Sequence, residues 1–315
     1  MDAFDPEIIK QVSIDAGFDL VGFAPATIPK KNRDYISDWV KQKKYGEMDW
    51  FSKTQSMEIR LDLKHLGFIP KSVICLGMVY RTIEGESLLK NMEFKVSRYA
   101  LGEDYHTVIR RKAKPILSYL KDTFPKFHFR QSVDTLPIPE KVFASLSGLG
   151  WMGKNTNIIH PELGSYFFIS TILTDCPWPV AEASSTDHCG TCRACLDACP
   201  TGALTAPYEL DARLCISHHN IEDRREHFSE NTNLNNWLYG CDICQEVCPW
   251  NKGKAVRNQV NSKNEEFLPK GIFVSNNLDL KIESNEDEFK ENFSNTSILR
   301  IGVDSWNRNL RAVKE

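Results

Sequence analysis

Behind an acidic start, apolar residues recur at helical spacing: Ile8, Ile9, Val12 and Ala16 follow Asp5-Pro6. Asp5 suits the N-cap, Pro6 the first helical position and Gly17 the stop. Asp19 to Ala24 (DLVGFA) reads as a strand, and Arg33 to Tyr45 as a second helix ended by Gly46. Ser72 to Tyr80 (SVICLGMVY) is nearly all apolar and of strand length, the pattern of a strand buried on both faces. Asp104 would cap a long helix to Thr123, bent at Pro115. Phe127 to Val133 is a strand, Pro139 to Ser147 a short helix, and Ser165 to Thr174 (SYFFISTILT) another apolar strand. Strands alternating with helices predict a layered α/β or α+β domain over residues 1–183.

The pattern then changes. Residues 184–255 are poor in periodic signal and rich in turn residues, as suits a small domain organised by metal. Residues 256–315 open on a polar loop (Asn258, Asn261, Asn264), pass through an acidic, solvated stretch from Ser284 to Lys290, and end in a more apolar segment from Ile298 to Lys314. Apart from the two cysteine runs described below, no repeat recurs at 20–50 residues.

Composition narrows the class. A chain of 315 residues with 41% hydrophobic and 26% charged residues is neither disordered nor fibrous. No apolar run approaches the ~18 residues of a membrane span, and the acidic Met1–Asp5 lacks the order of a signal peptide. A cytoplasmic protein is expected. A net charge of −3 argues against holding nucleic acid by bulk electrostatics but leaves room for a local basic face.

The ten cysteines carry the strongest signal, because eight of them fall between 189 and 248. Clustering of this kind in a cytoplasmic chain points to metal rather than disulfides. Cys189-x2-Cys192-x2-Cys195-x3-Cys199-Pro200 has the spacing of a bacterial-type [4Fe–4S] ferredoxin, whose fourth cysteine serves a second cluster. The second run, Cys241-x2-Cys244-x3-Cys248-Pro249, lacks an opening cysteine, since Leu238 stands at that place; Cys215 can supply the missing thiolate. Exchange between runs gives two full sets: Cys189, Cys192, Cys195 and Cys248, then Cys199, Cys215, Cys241 and Cys244. Structural zinc is the plainer alternative, but a CxxCxxC triple crowds a single tetrahedral ion. Cys75, inside an apolar strand, reads as a core residue. Cys176 stands outside both sets.

Two clusters in series imply electron transfer to something held by residues 1–183. There is no GxxxxGK[ST] loop, and Gly148-Leu149-Gly150-Trp151-Met152-Gly153 follows a helix rather than a strand, so it fails as a Rossmann fingerprint. Its continuation, Lys154-Asn155-Thr156-Asn157, offers amide and cationic donors to a large polar-rimmed cofactor.

Several stretches together resemble one family, the epoxyqueuosine reductases. They are Arg98-Tyr99-Ala100-Leu101-Gly102-x2-Tyr105-His106, Val133-Asp134-Thr135, Gly148 to Asn157, Cys215-Ile216-Ser217, Ala198 to Ala203, and Tyr239-Gly240-Cys241-Asp242-x-Cys244-Gln245-x2-Cys248-Pro249-Trp250-Asn251. The resemblance runs from about residue 5 to 313. It implies an α+β fold: a nitroreductase-like cobalamin-binding α/β domain, then a ferredoxin-type domain with two [4Fe–4S] clusters. It implies reduction of epoxyqueuosine to queuosine at the tRNA wobble position, the last step of queuosine synthesis, with electrons from an external donor passing through the clusters to cobalamin.

The same resemblance places Asp134 as proton donor and puts Tyr105 and His106 near the substrate. Arg60, Asp134, Lys154, Asn155, Asn157, Ser217 and Asp242 are the cobalamin contacts it suggests, their side chains answering corrin amides and a phosphate. Phosphate contacts to the tRNA anticodon loop are expected from Arg224 and Arg225, from Lys252, Lys254 and Arg257, and from Arg308 and Arg311. Many members continue into a helical-repeat domain; this sequence ends at Glu315 and resembles a short form, expected to be a monomer with no membrane contact. The rival readings are another corrinoid reductase of the dehalogenase type and a plain iron–sulfur electron carrier.

Overall fold

The computed structural model describes residues 4–178, 180, 186–229, 232–252, 261–274 and 283–314. Helix α1 (Pro6–Asp15) starts where Asp5 accepts the Glu7 N–H, as its sequence demands, and leads into strand β1 (Leu20–Pro25). Helix α2 (Lys30–Lys41) begins directly after Pro29, earlier than the apolar spacing suggests, and buries none of its residues. Helix α3 (Thr54–Leu61) precedes strand β2 (Ser72–Val79). Helix α4 (Ile83–Asn91), capped by Thr82, and strand β3 (Lys95–Val96) follow.

The long helix expected from Asp104 to Thr123 is two helices, α5 (Tyr105–Lys112) and α6 (Lys114–Thr123). Pro115 falls in the first turn of α6, where a missing N–H costs nothing, so the break is complete rather than a bend. Strand β4 (Phe129–Ser132), helix α7 (Glu140–Leu146), the short strands β5 (Trp151–Met152) and β6 (Ile158–Ile159), and strand β7 (Phe167–Thr174) complete this part.

The main sheet has the order β1-β2-β7-β4, with every neighbour antiparallel. β2 is buried along its whole length, although such strands usually belong to parallel sheets. Alternate side chains explain it. Ile74, Leu76 and Met78 enter one core with residues of α1, α5 and α6; Val73, Cys75 and Val79 enter another with residues of α3 and α7. The sheet is thus covered by helices on both faces. Cys75 is a core residue, as expected, its thiol pushed up to about 12 by burial.

The cysteine-bearing part contributes helices α8 (Ala194–Asp197) and α9 (Ile216–Ile221), strand β8 (Trp237–Tyr239) and helix α10 (Ile243–Glu246). β8 pairs in parallel with β3, so this part is stitched into the first by backbone hydrogen bonds. The seam is tight: Gly240 sits at φ +69°, and a Cβ there would lie 2.1 Å from Ser97 Oγ. One core joins residues from α4, β3, α9, β8 and the C-terminal helix Gly302–Lys314, including Val96, Leu238, Tyr239, Trp306 and Leu310. The acidic stretch from Ser284 is only partly a solvated loop. Asn285 and Glu288 form a capping box that starts a helix at Glu286, and Phe289 anchors it in this core. No helix among the described residues is long and apolar enough to cross a membrane.

Candidate functional site

The eight clustered thiols fall into two groups by the fields they exert on each other. Burial raises the thiols of Cys195 and Cys248; Cys195 also feels Cys248 and Cys189, and Cys248 feels Cys189 and Cys192. Burial likewise raises Cys215, Cys241 and Cys244. Cys215 feels Cys199, Cys241 feels Cys215 and Cys199, and Cys244 feels Cys215 and Cys241. These influences run mostly within the two sets expected from the spacing. Cys244 also feels Cys195, which puts the sets side by side.

Backbone N–H groups aim at the sulfurs: those of Ser217 and His218 at Cys215, Ile243 at Cys241, and Trp250 and Asn251 at Cys248. Buried thiols that repel one another while accepting backbone hydrogen bonds need a positive centre to become thiolates. Iron–sulfur clusters supply it. Among the described residues, no three His, Cys, Asp or Glu side chains converge tightly enough to hold one metal ion, as structural zinc requires. Instead the first set lines a cavity of about 220 Å³ with Lys154, Asn155, His188 and Trp250. Cys192 is exposed, so this set lies near the surface.

A second group of polar side chains gathers around Asp134, within the electrostatic reach of the second set. Asp134 follows the edge strand β4 by two residues and sits at φ +51°, a left-handed conformation that an aspartate tolerates at some cost. The hydroxyl of Tyr105 donates to Asp134 Oδ2 over 3.1 Å. The Tyr105 ring is held flat on Phe168, 4.3 Å between centroids, and burial raises its phenol well above the usual range. His106 stacks on Tyr105 and bonds through Nδ1 to Asp104, its own helix cap, over 2.8 Å; it reaches the site only through Tyr105.

Two neighbours were not singled out from the sequence. The Asp134 N–H donates to both oxygens of Glu140, at 3.2 and 3.3 Å, and burial followed by the Asp134 charge pushes Glu140 up to about 8. Lys141 is solvent-accessible yet walled in by protein; that burial lowers it, while Cys244, Asp134 and Cys215 oppose the fall. Its ammonium donates to Thr156 O (2.9 Å) and Asn157 Oδ1 (3.2 Å). Accessible side chains with the pKa behaviour of buried ones are what a deep cleft produces. Lys141 therefore spans from Asp134 to the second thiol set. The only sequence signal was a Glu-Lys pair opening a helix just after the Asp134 turn.

The other expected residues divide. Arg60 is buried beside this cleft: it feels Asp134 and Glu140, lies 3.7 Å over the Phe51 ring, and leaves Nε without a partner among the described residues. Ser217 is half-buried two residues beyond Cys215. Lys154 and Asn155 are spent on the thiol loops. The Lys154 ammonium donates to Gly190 O (2.5 Å) and Cys192 O (2.9 Å), and the Asn155 amide to Cys244 O (3.2 Å). Asp242 is buried and accepts the Arg98 N–H and guanidinium, so it faces Arg98 rather than an open cleft.

Among the basic candidates, Arg308 is corrected. It is 4% exposed and donates to the carbonyls of Asp223 and Arg225. Arg224 likewise caps the carbonyls of Ile301 and Arg300, Arg225 pairs with Asp223 and Glu47, and Arg311 pairs with Glu283. Lys252 is exposed. Lys254 and Arg257, like Asn258, lie outside the described residues.

Comparison with known proteins agrees with this geometry. A model described as "4Fe-4S double cluster binding domain" matches residues 188–251, which contain all eight ligand candidates. A second, "Epoxyqueuosine reductase QueG, DUF1730", matches residues 60–135. The epoxyqueuosine reductase of Atelocyanobacterium thalassa is 38% identical over 97% of this chain and 98% of its own length. The chain belongs to the epoxyqueuosine reductase family. The Escherichia coli K12 enzyme of that family is 34% identical, over 96% of this chain and 78% of its own. A Bacillus subtilis epoxyqueuosine reductase, solved with a catalytic aspartate loop swung out of the active site, superposes with a TM-score of 0.81 at 29% identity, covering 98% of this chain and 80% of that one. An epoxyqueuosine reductase solved with an epoxyqueuosine-modified tRNA-Tyr stem loop gives 0.79, also at 29% identity and with the same coverage.

Proposed function

We propose that this chain reduces epoxyqueuosine to queuosine at the wobble position of tRNA, in the cytoplasm, as a monomer fed by an external electron donor. Its cofactors in this reading are two [4Fe–4S] clusters and a cobalamin. Residues 1–183 supply the cleft, 184–255 the cluster ligands and 256–315 the surrounding support. Cys189, Cys192, Cys195 and Cys248 hold the outer cluster; Cys199, Cys215, Cys241 and Cys244 hold the inner one. Lys141 carries the reading, because it touches the field of the inner thiols and of Asp134 at once. Electrons would enter at the exposed Cys192 side and leave from the inner set, beside which Asp134 would supply the proton.

The cleft fits a large, polar-rimmed anionic group. Arg60 has a buried Nε with no partner among the described residues, and Lys141 and the Asn157 amide stand at the same wall. Arg60, Lys141, Asn157 and Ser217 would hold cobalamin, which when bound supplies the low-potential electrons that remove the epoxide oxygen. Lys154, Asn155 and Asp242 act behind it, by fixing the thiol loops and Arg98.

Two electrons and two protons convert the epoxide to an alkene and water. Asp134 delivers one proton to the epoxide oxygen as the C–O bond opens, and solvent supplies the second on the way to water. The Tyr105 hydroxyl occupies Oδ2 and so turns the other carboxyl oxygen to the substrate. The stacked Tyr105 and Phe168 rings fix the position of that hydroxyl. The unpaired wobble base enters the cleft from the anticodon loop.

The test is anaerobic reconstitution with iron, sulfide and cobalamin, followed by incubation with epoxyqueuosine-containing tRNA and a strong reductant, read by nucleoside mass spectrometry. Loss of one oxygen, dependent on cobalamin, is expected. Bound cobalamin without tRNA product would assign another corrinoid reductase, and no cobalamin binding would leave an electron carrier.

A further inference from the structure

Among the described residues beside the outer thiols, Trp151 carries a buried polar atom without a partner. It is 3% exposed, fixed in β5 opposite Ile159. The preceding Gly150, at φ +154°, lets the strand approach so closely that a Cβ would lie 2.3 Å from Ile159 O. The indole packs with Cys248, Cys189 and Trp250, and its ring meets those of His188 and Trp250 edge-on at 4.8 and 4.9 Å. His188 and Trp250 line the cavity of the outer thiol set. Yet Trp151 Nε1 is buried with no hydrogen-bond partner among the described residues, and neither adjacent cysteine sulfur accepts it.

An indole N–H is a donor only, and a buried donor without an acceptor is costly to keep. Of the polar neighbours, Lys154 donates to two carbonyls and the His188 ring meets the indole edge-on rather than in its plane. Cys189 and Cys248, which pack against the indole, both line the cavity, so a group held there by these thiols would stand beside the N–H. Sulfur atoms of an iron–sulfur cluster are such acceptors, and hydrogen bonds to them tune its potential.

We infer that Trp151 is a positioning residue that donates its indole N–H to the cluster held by Cys189, Cys192, Cys195 and Cys248, and thereby raises that cluster's reduction potential. The sign follows from charge. Reduction adds an electron to the cluster, so a donor stabilises the reduced form more than the oxidised one. The outer cluster then accepts electrons more readily from the external donor than its four thiolates alone would allow. This rests on the cluster reading given above.

The experiment compares reconstituted wild-type protein with Trp151→Phe, which removes the N–H and keeps an aromatic ring. Iron and sulfide content are measured first, then both cluster potentials by redox titration followed by EPR. The expected result is full cluster content with one couple moved to lower potential by about three- to tenfold in its equilibrium, up to about 59 mV for one electron, and the other couple unmoved. Two clusters with unchanged potentials would overturn the Trp151 assignment alone. A wild-type chain that takes up no iron would sink the cluster reading and this one with it. Should the variant lose its clusters, wild-type protein labelled with ¹⁵N in its indoles decides the matter. Hyperfine coupling of one indole ¹⁵N to a reduced cluster is expected, and its absence refutes the bond.

Discussion

Glu140→Gln is expected to stabilise the protein, and to do so increasingly as the pH rises. In the fold Glu140 is hemmed in by protein beside Asp134, and its carboxyl is pushed from the ordinary 4.5 up to about 8. An unfolded chain gives up this proton near 4.5, so between the two values the folded state binds more protons. The stabilisation is complete below 4.5 and is lost as the pH climbs through about 8. Glutamine carries no charge to bury and still offers a carbonyl oxygen to the Asp134 N–H. The gap between variant and wild type therefore opens with pH at no more than about 1.4 kcal/mol per unit, to a ceiling of about 5 kcal/mol. At about 2 °C per kcal/mol for a chain of this size, the melting temperatures should separate by several degrees at pH 8 and converge near pH 5. Differential scanning calorimetry at four pH values reads this directly. A gap that is constant with pH, or that widens toward acid, would show that Glu140 is ionised in the fold and that the cleft is wetter than described.

Three further outcomes follow from the geometry. Asp134→Asn should lower single-turnover product formation by about 10²- to 10⁴-fold, whereas Tyr105→Phe, losing one 3.1 Å hydrogen bond, should cost about three- to tenfold. Cys215→Ala should lose one cluster, lowering iron by about four atoms per chain, while Cys176→Ala, which stands outside both thiol sets, should keep the wild-type iron content. Arg308→Ala should destabilise the fold by about 1–3 kcal/mol, because the carbonyls of Asp223 and Arg225 lose its guanidinium, yet leave the salt dependence of tRNA binding unchanged in filter-binding titrations.

The elements that were legible in the sequence are those with one dominant local cause. The Asp5-Pro6 start, the apolar run of β2 and the cysteine spacing each needed only neighbours in the chain. The antiparallel order of the main sheet was not legible, since β2 is buried on both faces by helices from α1 to α7, and burial alone does not report strand direction. Helix α2 was displaced because it packs no apolar face inward. At the site, Asp134 and Tyr105 meet as expected, but Glu140 and Lys141 gain their character from tertiary crowding around two otherwise ordinary helix-opening residues. Arg308 failed as a surface cation for a similar reason. A charged residue near the end of a chain gives no sign that three backbone carbonyls will enclose it.

The parallel pairing of β3 with β8 bears on timing as well as shape. A ferredoxin unit joined to its partner by a flexible linker must swing into place before each electron crosses, and such swings slow as the medium thickens. Here Arg98 and Cys241 each follow a strand of the same seam by two residues, so the second thiol set is tied to the first part of the chain by paired backbone. The crossing distance is set when the chain folds. Internal electron passage should thus run at one rate in dilute buffer and in concentrated sucrose, leaving arrival of the donor and of the tRNA as the steps that viscosity can touch.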